Sequence, residues 1–339
     1  MTRPREADGV IYGLTAYLLW GFAPLYFKLF TGVSPVEVLA HRVIWSVLLM
    51  AGLLALVGRL DAVAAVFRNR RVLGTALLST SLIAGNWLGY IYAVTSGQTL
   101  QGSLGYYINP LLNVLLGAVF LRERLRRLQW IAVALAAVGV LYLTISLGQF
   151  PGLALFLAIS FGFYGFVRKL APVDALTGLT VETLILAPAA LLYLGFLMNR
   201  GEAAFLAGPA WLSWALVGMG PVTSLPLLAF TAAARRLTLT LLGLLQYISP
   251  TGQFLIAVLV FREPFGAGQA VCFAFVWSAL ALFTFDSLRA RRALRIAVAR
   301  ADELRTRAEI PAVPDSSRPP GPVTDLPSPA PQRAETAPT

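Results

Sequence analysis

The chain is poor in the residues that metal chemistry, disulfide pairing and an ionic surface require. Its 339 residues include one cysteine and one histidine, and only 13% of them are charged, whereas soluble proteins carry about 25%. Because Cys272 is alone, a disulfide within the chain and a cysteine-based metal site are excluded. With one histidine and no clustered carboxylates, we expect no enzyme, no metal and no cofactor.

Apolar residues dominate instead, at 58% of the chain, with a mean hydropathy of +0.73. A net charge of +11 would suit a nucleic-acid partner. However, the basic residues lie in short gaps between apolar runs, which is typical of topogenic signals in membrane proteins. We therefore expect a polytopic membrane protein that contacts membrane lipids and no nucleic acid. The first apolar run has the length of a span and lacks a small-residue cleavage site, so we expect no cleaved signal peptide.

Ten apolar runs approach the length of about 20 residues that a transmembrane helix needs. Lipid offers the backbone no hydrogen-bond partner, so runs of this length are predicted to be helices. The sixth run is short, and the eighth is interrupted by Gly218, Gly220, Pro221 and Pro226. The predicted spans are 9–30, 36–57, 72–95, 101–121, 128–146, 151–167, 176–197, 211–232, 238–261 and 268–287.

Arginine and lysine predict the orientation of these spans. With the N-terminus in the cytoplasm, fourteen of the 27 basic residues lie in cytoplasmic segments and nine more lie in the C-terminal tail. The outer loops then hold only Arg200 and Arg262. Because basic residues accumulate on the cytoplasmic side, we expect a multi-pass protein of the bacterial cytoplasmic (inner) membrane with both termini inside.

A repeat with an offset of 140 residues relates the fourth and ninth spans. The run Tyr107-Ile108-Asn109-Pro110 recurs as Tyr247-Ile248-Ser249-Pro250, and Arg122-Glu123 recurs as Arg262-Glu263. Gln129 likewise recurs as Gln269. Five spans separate the copies, so they would face the membrane in opposite senses, which is typical of alternating-access transporters.

The predicted fold is therefore an all-α polytopic membrane protein with ten transmembrane helices in two inverted five-helix repeats, 9–146 and 151–287. Residues 1–8 form a cytoplasmic N-terminus. Residues 288–339 form a basic juxtamembrane segment and then a disordered, proline-rich cytoplasmic tail. The basic segment is either a topogenic helix end or a site for anionic lipid, and the two are compatible.

The second span carries the most polar groups. Glu37, His41 and Trp45 are spaced four residues apart and share one helix face. Arg42 lies about 100° round that helix and about 10 Å from its outer edge, at 1.5 Å per residue. Polar groups at such depth are costly. Two interpretations stay open, a buried network that holds helices together and a site that handles substrate or protons.

Two further charges have predicted partners. Lys28 either snorkels to the interface or bridges to Glu37 across the short 31–34 loop. Glu182 lies at an offset of 140 from Arg42, so the two are repeat equivalents of opposite charge. A pair between them would neutralise both, although their depths differ by about 10 Å. A proton-binding carboxylate is the alternative for Glu182.

Aromatic and proline positions complete the candidate set. Pro24 should bend the first span. The prolines of the fourth and ninth spans either line a gate or merely shape the helix. The aromatic face of the third span, with Trp87, Tyr90 and Tyr92, is either packing or a ligand contact. The candidate residues of a substrate or ion pathway are Trp20, Pro24, Lys28, Glu37, His41, Arg42, Trp45, Asn86, Tyr106, Tyr107, Asn109, Pro110, Glu182, Tyr247, Ser249 and Pro250.

Several runs together resemble the RarD group of the EamA-type family, in the drug/metabolite transporter superfamily. They are Trp-Gly-Phe-Ala-Pro-Leu-Tyr-Phe-Lys from Trp20, Glu-x-x-x-His-Arg-x-x-Trp-Ser from Glu37, the run from Ser103 to Pro110, Phe-Gly-Phe-Tyr-Gly from Phe161 with Arg168-Lys169, and Val-Glu-Thr from Val181. The resemblance covers about 9–287 and implies ten helices in two inverted halves that export small molecules or drugs. The proline-rich tail departs from the family pattern.

The expected function is secondary active transport. The chain would be an exporter or permease of small amphipathic metabolites or drugs, working by alternating access. No Walker A motif is present, and proton coupling through Glu37, His41 or Glu182 stays open. The alternatives are a lipid-carrier flippase and a membrane scaffold whose partner binds the tail.

Overall fold

The computed structural model describes residues 4–120, 122, 125–147, 150–234, 236–237 and 245–309, and within them the chain is helical throughout, with no strand. The helices are α1 (Pro4–Phe27), α2 (Pro35–Val57), α3 (Leu60–Arg68), α4 (Arg70–Thr95), α5 (Thr99–Phe120), α6 (Arg127–Leu147), α7 (Gly152–Leu170), α8 (Ala175–Arg200), α9 (Ala210–Ala234), α10 (Ile248–Leu255) and α11 (Ala267–Glu309).

Eight of the described helices are long and apolar enough to cross a membrane, and two shorter apolar helices, Gly152–Arg168 and Ile248–Val260, accompany them. Large apolar side chains on the bundle are also exposed, as at Leu56 and Ile145, which are 85% and 81% exposed. Such a surface is stable only in contact with lipid. The prediction of an all-helical, multi-pass membrane protein is therefore confirmed.

Some predicted features fall outside the described residues. The predicted ninth span, 238–261, begins in the undescribed segment 238–244, and its described part consists of α10 and a π-helical turn, Ile256–Val260. The predicted disordered tail, 310–339, is also outside them. The count of ten spans thus stays a prediction.

Prolines do not end the helices that contain them. The eighth predicted span, which the sequence interrupts, is the continuous helix α9 with Pro221 and Pro226 inside it. Pro24 is buried within α1, which ends at Phe27 and tightens into a 3₁₀ turn, Lys28–Phe30. Neighbouring helices compensate for the missing hydrogen bonds of such prolines in membrane proteins.

Helices from residues 9–146 pack mainly against helices from residues 151–287. Thus α1 packs against α9 and α10, α2 against α8 and α9, α4 against α7 and α8, and α5 against α7 and α10. Small residues permit the close approach. A Cβ added at Gly252 would lie 3.1 Å from the Cα of Gly21, and one added at Gly105 would lie 2.6 Å from the carbonyl oxygen of Ala154.

The two copies of the sequence repeat share local structure. Arg122 and Arg262 both have a positive φ, 55° and 54°, which is uncommon for a residue with a side chain. The Oε1 atoms of Gln129 and Gln269 accept hydrogen bonds from backbone N–H groups three residues earlier, at 2.9 and 2.8 Å. The same backbone turn and the same helix cap therefore occur 140 residues apart.

The bundle ends at Arg289. From Ala290 the chain forms a separate unit, of which the residues as far as Glu309 are described as a continuation of helix α11.

Candidate functional site

Glu37 binds backbone amides rather than another side chain. Proline at position 35 begins α2, which places Glu37 in its first turn. The Glu37 Oε1 atom accepts hydrogen bonds from the N–H groups of Ala204 at 2.7 Å and Phe205 at 3.3 Å, and the side chain is 2% exposed. The carboxylate therefore holds the loop between α8 and α9, and the bridge from Lys28 that we considered is not formed.

His41 and Trp45 continue this contact on the same face of α2. The Trp45 Nε1 atom donates to His41 Nδ1 at 3.2 Å. The ring of Phe205 lies 4.8 Å from that of His41 and 6.3 Å from that of Trp45. The three residues that share a face in the sequence thus converge on one loop, while the His41 Nε2 atom is buried without a hydrogen-bond partner.

Arg42 contacts aromatic rings. Its guanidinium lies 4.1 Å from the ring centroid of Trp87 and 5.7 Å from that of Phe27. Cation–π contacts of this kind stabilise a charge that has left water. Among the described residues Arg42 forms no ion pair, and its buried Nε atom has no hydrogen-bond partner.

Glu182 has partners other than the one we predicted. Its Oε1 atom accepts a hydrogen bond of 2.7 Å from Ser79, and its Oε2 atom accepts one of 3.2 Å from Tyr164. The Arg168 Nε atom lies 3.7 Å from Oε1. The predicted pair between Arg42 and Glu182 is therefore wrong, because the difference in depth along their helices places Glu182 beside α7 and the first turns of α4.

Asn86 joins three helices. Its Nδ2 atom donates to the carbonyl oxygen of Leu157 and to Ser160 Oγ, both at 3.0 Å. The Tyr106 hydroxyl donates to Asn86 Oδ1 at 3.1 Å. Since Asn86 is 1% exposed, these bonds satisfy an amide that would otherwise be costly inside a membrane.

The crossing of α5 and α10 holds most of the repeat residues. The hydroxyls of Tyr107 and Thr251 are 2.7 Å apart, and Ser103 Oγ donates to the carbonyl oxygen of Pro250 at 2.9 Å. Asn109 is fully buried, and neither of its side-chain polar atoms has a partner. Pro110 lies inside α5, one residue after this unpartnered amide.

The remaining candidates contact α10 and the residues before and after it. Gln253 Nε2 donates to Ser249 Oγ and to the carbonyl oxygen of Trp20, both at 3.2 Å. Tyr247 packs against the apolar cluster between α5, α6 and α11. Lys28 lies 5.0 Å from the ring centroid of Phe261. The structure thus distributes the sequence candidates over several contacts between helices rather than one pocket.

Several residues of these clusters escaped the sequence analysis. Arg168 was considered only as a topogenic charge and as part of the family resemblance, Glu263 only as part of the repeat, and Phe205 not at all. Glu263 accepts hydrogen bonds from the N–H groups of Thr99 and Leu100, both at 2.8 Å, and so caps α5. The repeat singled out Glu263 as a residue of interest, but the sequence pattern did not indicate which helix its side chain would contact. No group of three or more potential metal ligands occurs among the described residues.

Comparison with known proteins identifies the family of the chain. Residues 7–145 match the model of the EamA-like transporter family. Protein RarD of Escherichia coli K12 is 44% identical over 292 residues, which cover 86% of this chain and 99% of that protein. The chain belongs to the RarD group of the EamA-like transporter family.

Other relatives and one solved structure extend this result. A Vibrio cholerae protein named "Uncharacterized transporter" is 49% identical over 287 residues, which cover 85% of this chain and 95% of that protein. The "Chloramphenicol-sensitive protein RarD" of Pseudomonas aeruginosa is 34% identical over 291 residues, which cover 85% of this chain and 97% of that protein. A crystal structure with 23% identity matches at a TM-score of 0.53 over 82% of this chain and 97% of that one, which shows a shared fold.

Proposed function

We propose that the chain is a secondary active transporter, an exporter or permease that moves small metabolites or drugs across the cytoplasmic membrane by alternating access. Membership of the EamA-like transporter family supports transport as the activity. The proposal includes ten spans in two inverted halves, 9–146 and 151–287, with both termini in the cytoplasm.

One observation carries this proposal. Hydrogen bonds between side chains of different spans join the two halves, two of them buried, Asn86 with Ser160 and Ser79 with Glu182, and one part-buried, Tyr107 with Thr251. Polar groups are costly in a membrane and mark functional paths there. In transporters built from inverted repeats, the substrate site lies where the repeats meet. The three pairs lie between residues 9–146 and residues 151–287, which supports a substrate path there.

The helix neighbours support a two-fold relation between the halves, which the inverted arrangement requires. An exchange of the two halves relates α1 to α7, α2 to α8, α4 to α9 and α5 to α10. Under this exchange, the pair α1–α9 corresponds to α7–α4, α1–α10 corresponds to α7–α5, and α2–α9 corresponds to α8–α4. All six pairs of helices are in contact. The pairs α2–α8 and α5–α10 map onto themselves. The shared turns at Arg122 and Arg262 follow the same relation.

Labelling of the repeat positions tests the inversion. In a variant with Cys272→Ala, we expect Arg262→Cys to react with a membrane-impermeant maleimide added outside cells. Arg122→Cys should react only in inside-out vesicles. Both side chains are exposed, so access depends on the side of the membrane. Reaction of both cysteines from one side would contradict the inverted arrangement.

We assign proton coupling to Glu182, the carboxylate that joins α8 to both α4 and α7. Purified protein in liposomes would be exposed to a metabolite extract, and the lumen contents would be measured by mass spectrometry with and without a pH gradient. We expect accumulation of specific compounds to rise with the gradient in the wild type and to lose that response in Glu182→Gln. Glu202→Gln, in an exposed loop position, is the control.

The outcomes separate the parts of the proposal. Accumulation without any gradient effect would contradict proton coupling and leave transport intact. Accumulation of no compound, together with movement of a fluorescent lipid between leaflets, would favour the flippase alternative. A chain that ends at residue 309 should transport as the full chain does. Loss of function on that truncation would favour the scaffold, in which the tail binds the partner.

A further inference from the structure

Among the residues that the structure describes, Arg42 has no anionic partner. It lies seven residues after the start of α2 at Pro35, about 10 Å along the helix at 1.5 Å per residue. No carboxylate of the described residues forms an ion pair with it. Its guanidinium lies over the rings of Trp87 and Phe27. The side chain is half-buried in an apolar span, and a charge held away from bulk water there is costly unless a counter-charge accompanies it.

Two buried acids, Glu37 and Glu263, are already occupied, and the exposed Glu202 pairs with Arg200. Glu37, five residues before Arg42 on α2, accepts the N–H groups of Ala204 and Phe205. Glu263 uses both of its oxygens to cap α5, one on Thr99 and one on Leu100. Each carboxylate therefore compensates a set of backbone dipoles, and neither compensates Arg42.

The guanidinium of Arg42 has donors to offer an anion. Its Cζ atom lies over the ring of Trp87, 4.1 Å from the ring centroid, and its Nε atom donates to no described residue. The fork of N–H donors on a guanidinium matches the two oxygens of a carboxylate or phosphate. Arg42 therefore suits an anionic oxygen group that the described residues do not supply.

A second unpartnered donor lies in the same cluster. Tyr90, on α4 one turn after Trp87, is 5% exposed, and its hydroxyl has no hydrogen-bond partner among the residues that the structure describes. Its ring lies 5.7 Å from Phe27, which Arg42 also contacts, and 5.4 Å from Tyr106. Buried hydroxyls usually have a partner, and a missing one calls for a ligand or an ordered water.

We propose that Arg42 and Tyr90 bind the anionic oxygens of a small organic anion, a carboxylate or phosphate ester whose apolar part packs against Phe27, Trp87 and Tyr106. This inference rests on the proposed transport function and gives its substrate class. The ligand supplies the counter-charge that the described residues lack. The same rings supply the apolar contact that a small amphipathic molecule requires.

Binding to the full-length purified protein in detergent tests the substrate class. The small anionic probes are benzoate, phenylacetate, indole-3-acetate and phenyl phosphate. The uncharged amide of each carboxylate is its control, and short-chain phosphatidylglycerol is the anionic lipid probe. Ligand-induced shifts of the unfolding temperature report binding. We expect at least one small anion to bind and its amide to bind at least about tenfold more weakly, as the loss of a charged hydrogen bond requires.

Variants assign the effect to Arg42. Arg42→Gln should weaken anion binding at least about tenfold, and Arg42→Lys should bind with intermediate affinity because it keeps the charge but not the fork. Arg200→Gln is the matched control, an exposed arginine that pairs with Glu202. Without ligand, Arg42→Gln should unfold at the wild-type temperature or above it, since the unpaired charge is gone.

Four results would overturn the proposal. They are equal binding of anions and amides, undiminished anion binding by Arg42→Gln, binding of the lipid probe alone, and no binding of any probe. A ligand-free Arg42→Gln that fails to fold would also overturn it, because the charge would then have an essential partner within the protein. These assays need no transport, so transport in liposomes remains a separate test of the proposed function.

Discussion

Ser79 of α4 donates a hydrogen bond of 2.7 Å to Glu182 of α8. Tyr164 and Arg168 of α7 reach the same carboxylate, at 3.2 and 3.7 Å. We call these four residues the Glu182 cluster. Three helices, one from residues 9–146 and two from residues 151–287, meet at this carboxylate, which is 1% exposed. An isolated carboxylate would be strongly destabilising there, so the cluster should be sensitive to the loss of any one partner.

Arg168→Gln should destabilise the bundle by about 1–3 kcal/mol, because it leaves the buried Glu182 charge without its cation. The double variant Arg168→Gln with Glu182→Gln should recover part of this loss, since no uncompensated charge remains. Thermal unfolding of the purified protein measures both. Arg200→Gln, whose ion pair with Glu202 is exposed, should stay within about 0.5 kcal/mol of the wild type. A double variant less stable than both single variants would contradict the pairing.

Glu37→Gln should loosen the loop between α8 and α9. The carboxylate accepts two backbone N–H groups, and the amide would accept them without the negative charge that strengthens such bonds. We expect hydrogen exchange at Ala204 and Phe205 to accelerate about tenfold, which corresponds to about 1.4 kcal/mol. Glu202→Gln changes an exposed acid in the same loop and serves as the control. Equal exchange in the two variants would show that Glu37 does not hold the loop.

The sequence was sufficient to predict most helices. The second predicted span, 36–57, corresponds to α2 at Pro35–Val57. Such agreement has a physical cause, because long apolar runs in lipid have no alternative to a helix. The π-helical turn at Ile256–Val260 was not predicted, since it depends on local packing rather than on the apolar pattern.

The partners of the charges were not predictable to the same extent. A repeat offset of 140 suggested Arg42 for Glu182, whereas the structure pairs Glu182 with Arg168. Spacing along a helix indicates which residues share a face, as for Glu37, His41 and Trp45, which converge on Phe205. It does not give the axial register between two helices, which side-chain packing decides.

Gly178→Ala should disturb the Glu182 cluster from outside it. The guanidinium of Arg168 lies directly against Gly178, so an added Cβ would displace it. We therefore expect a loss of stability of about 1–3 kcal/mol, as for an overpacked core position. Gly165→Ala is the matched control on α7, where nothing lies within 4 Å of an added Cβ, and it should gain about 0.5–1 kcal/mol. Thermal unfolding of both variants measures the difference, and equal effects would contradict this account.

Asp174 should make stability depend on pH. It caps α8 by accepting the N–H groups of Leu176 and Thr177, at 3.1 and 3.2 Å, and it pairs with Arg59 at 3.0 Å. Partial burial raises the pKa of the Asp174 carboxyl, but the hydrogen bonds from Thr177 and the charge of Arg59 outweigh it, so the net pKa lies below the ordinary value. A carboxyl of this kind stabilises the folded state above its unfolded pKa of about 3.9, and the effect disappears as the pH falls through the folded pKa.

Asp174→Asn removes this charge and keeps a side chain that caps helices well. We expect it to be less stable than the wild type at neutral pH and to approach the wild type below about pH 4, near the unfolded pKa of an aspartate. Asp174→Ala also removes the cap and should stay less stable by about 1 kcal/mol at low pH as well. Chemical unfolding between neutral and acidic pH measures these differences. A gap between wild type and Asp174→Asn that is constant with pH, or that widens on acidification, would contradict the charge as its cause.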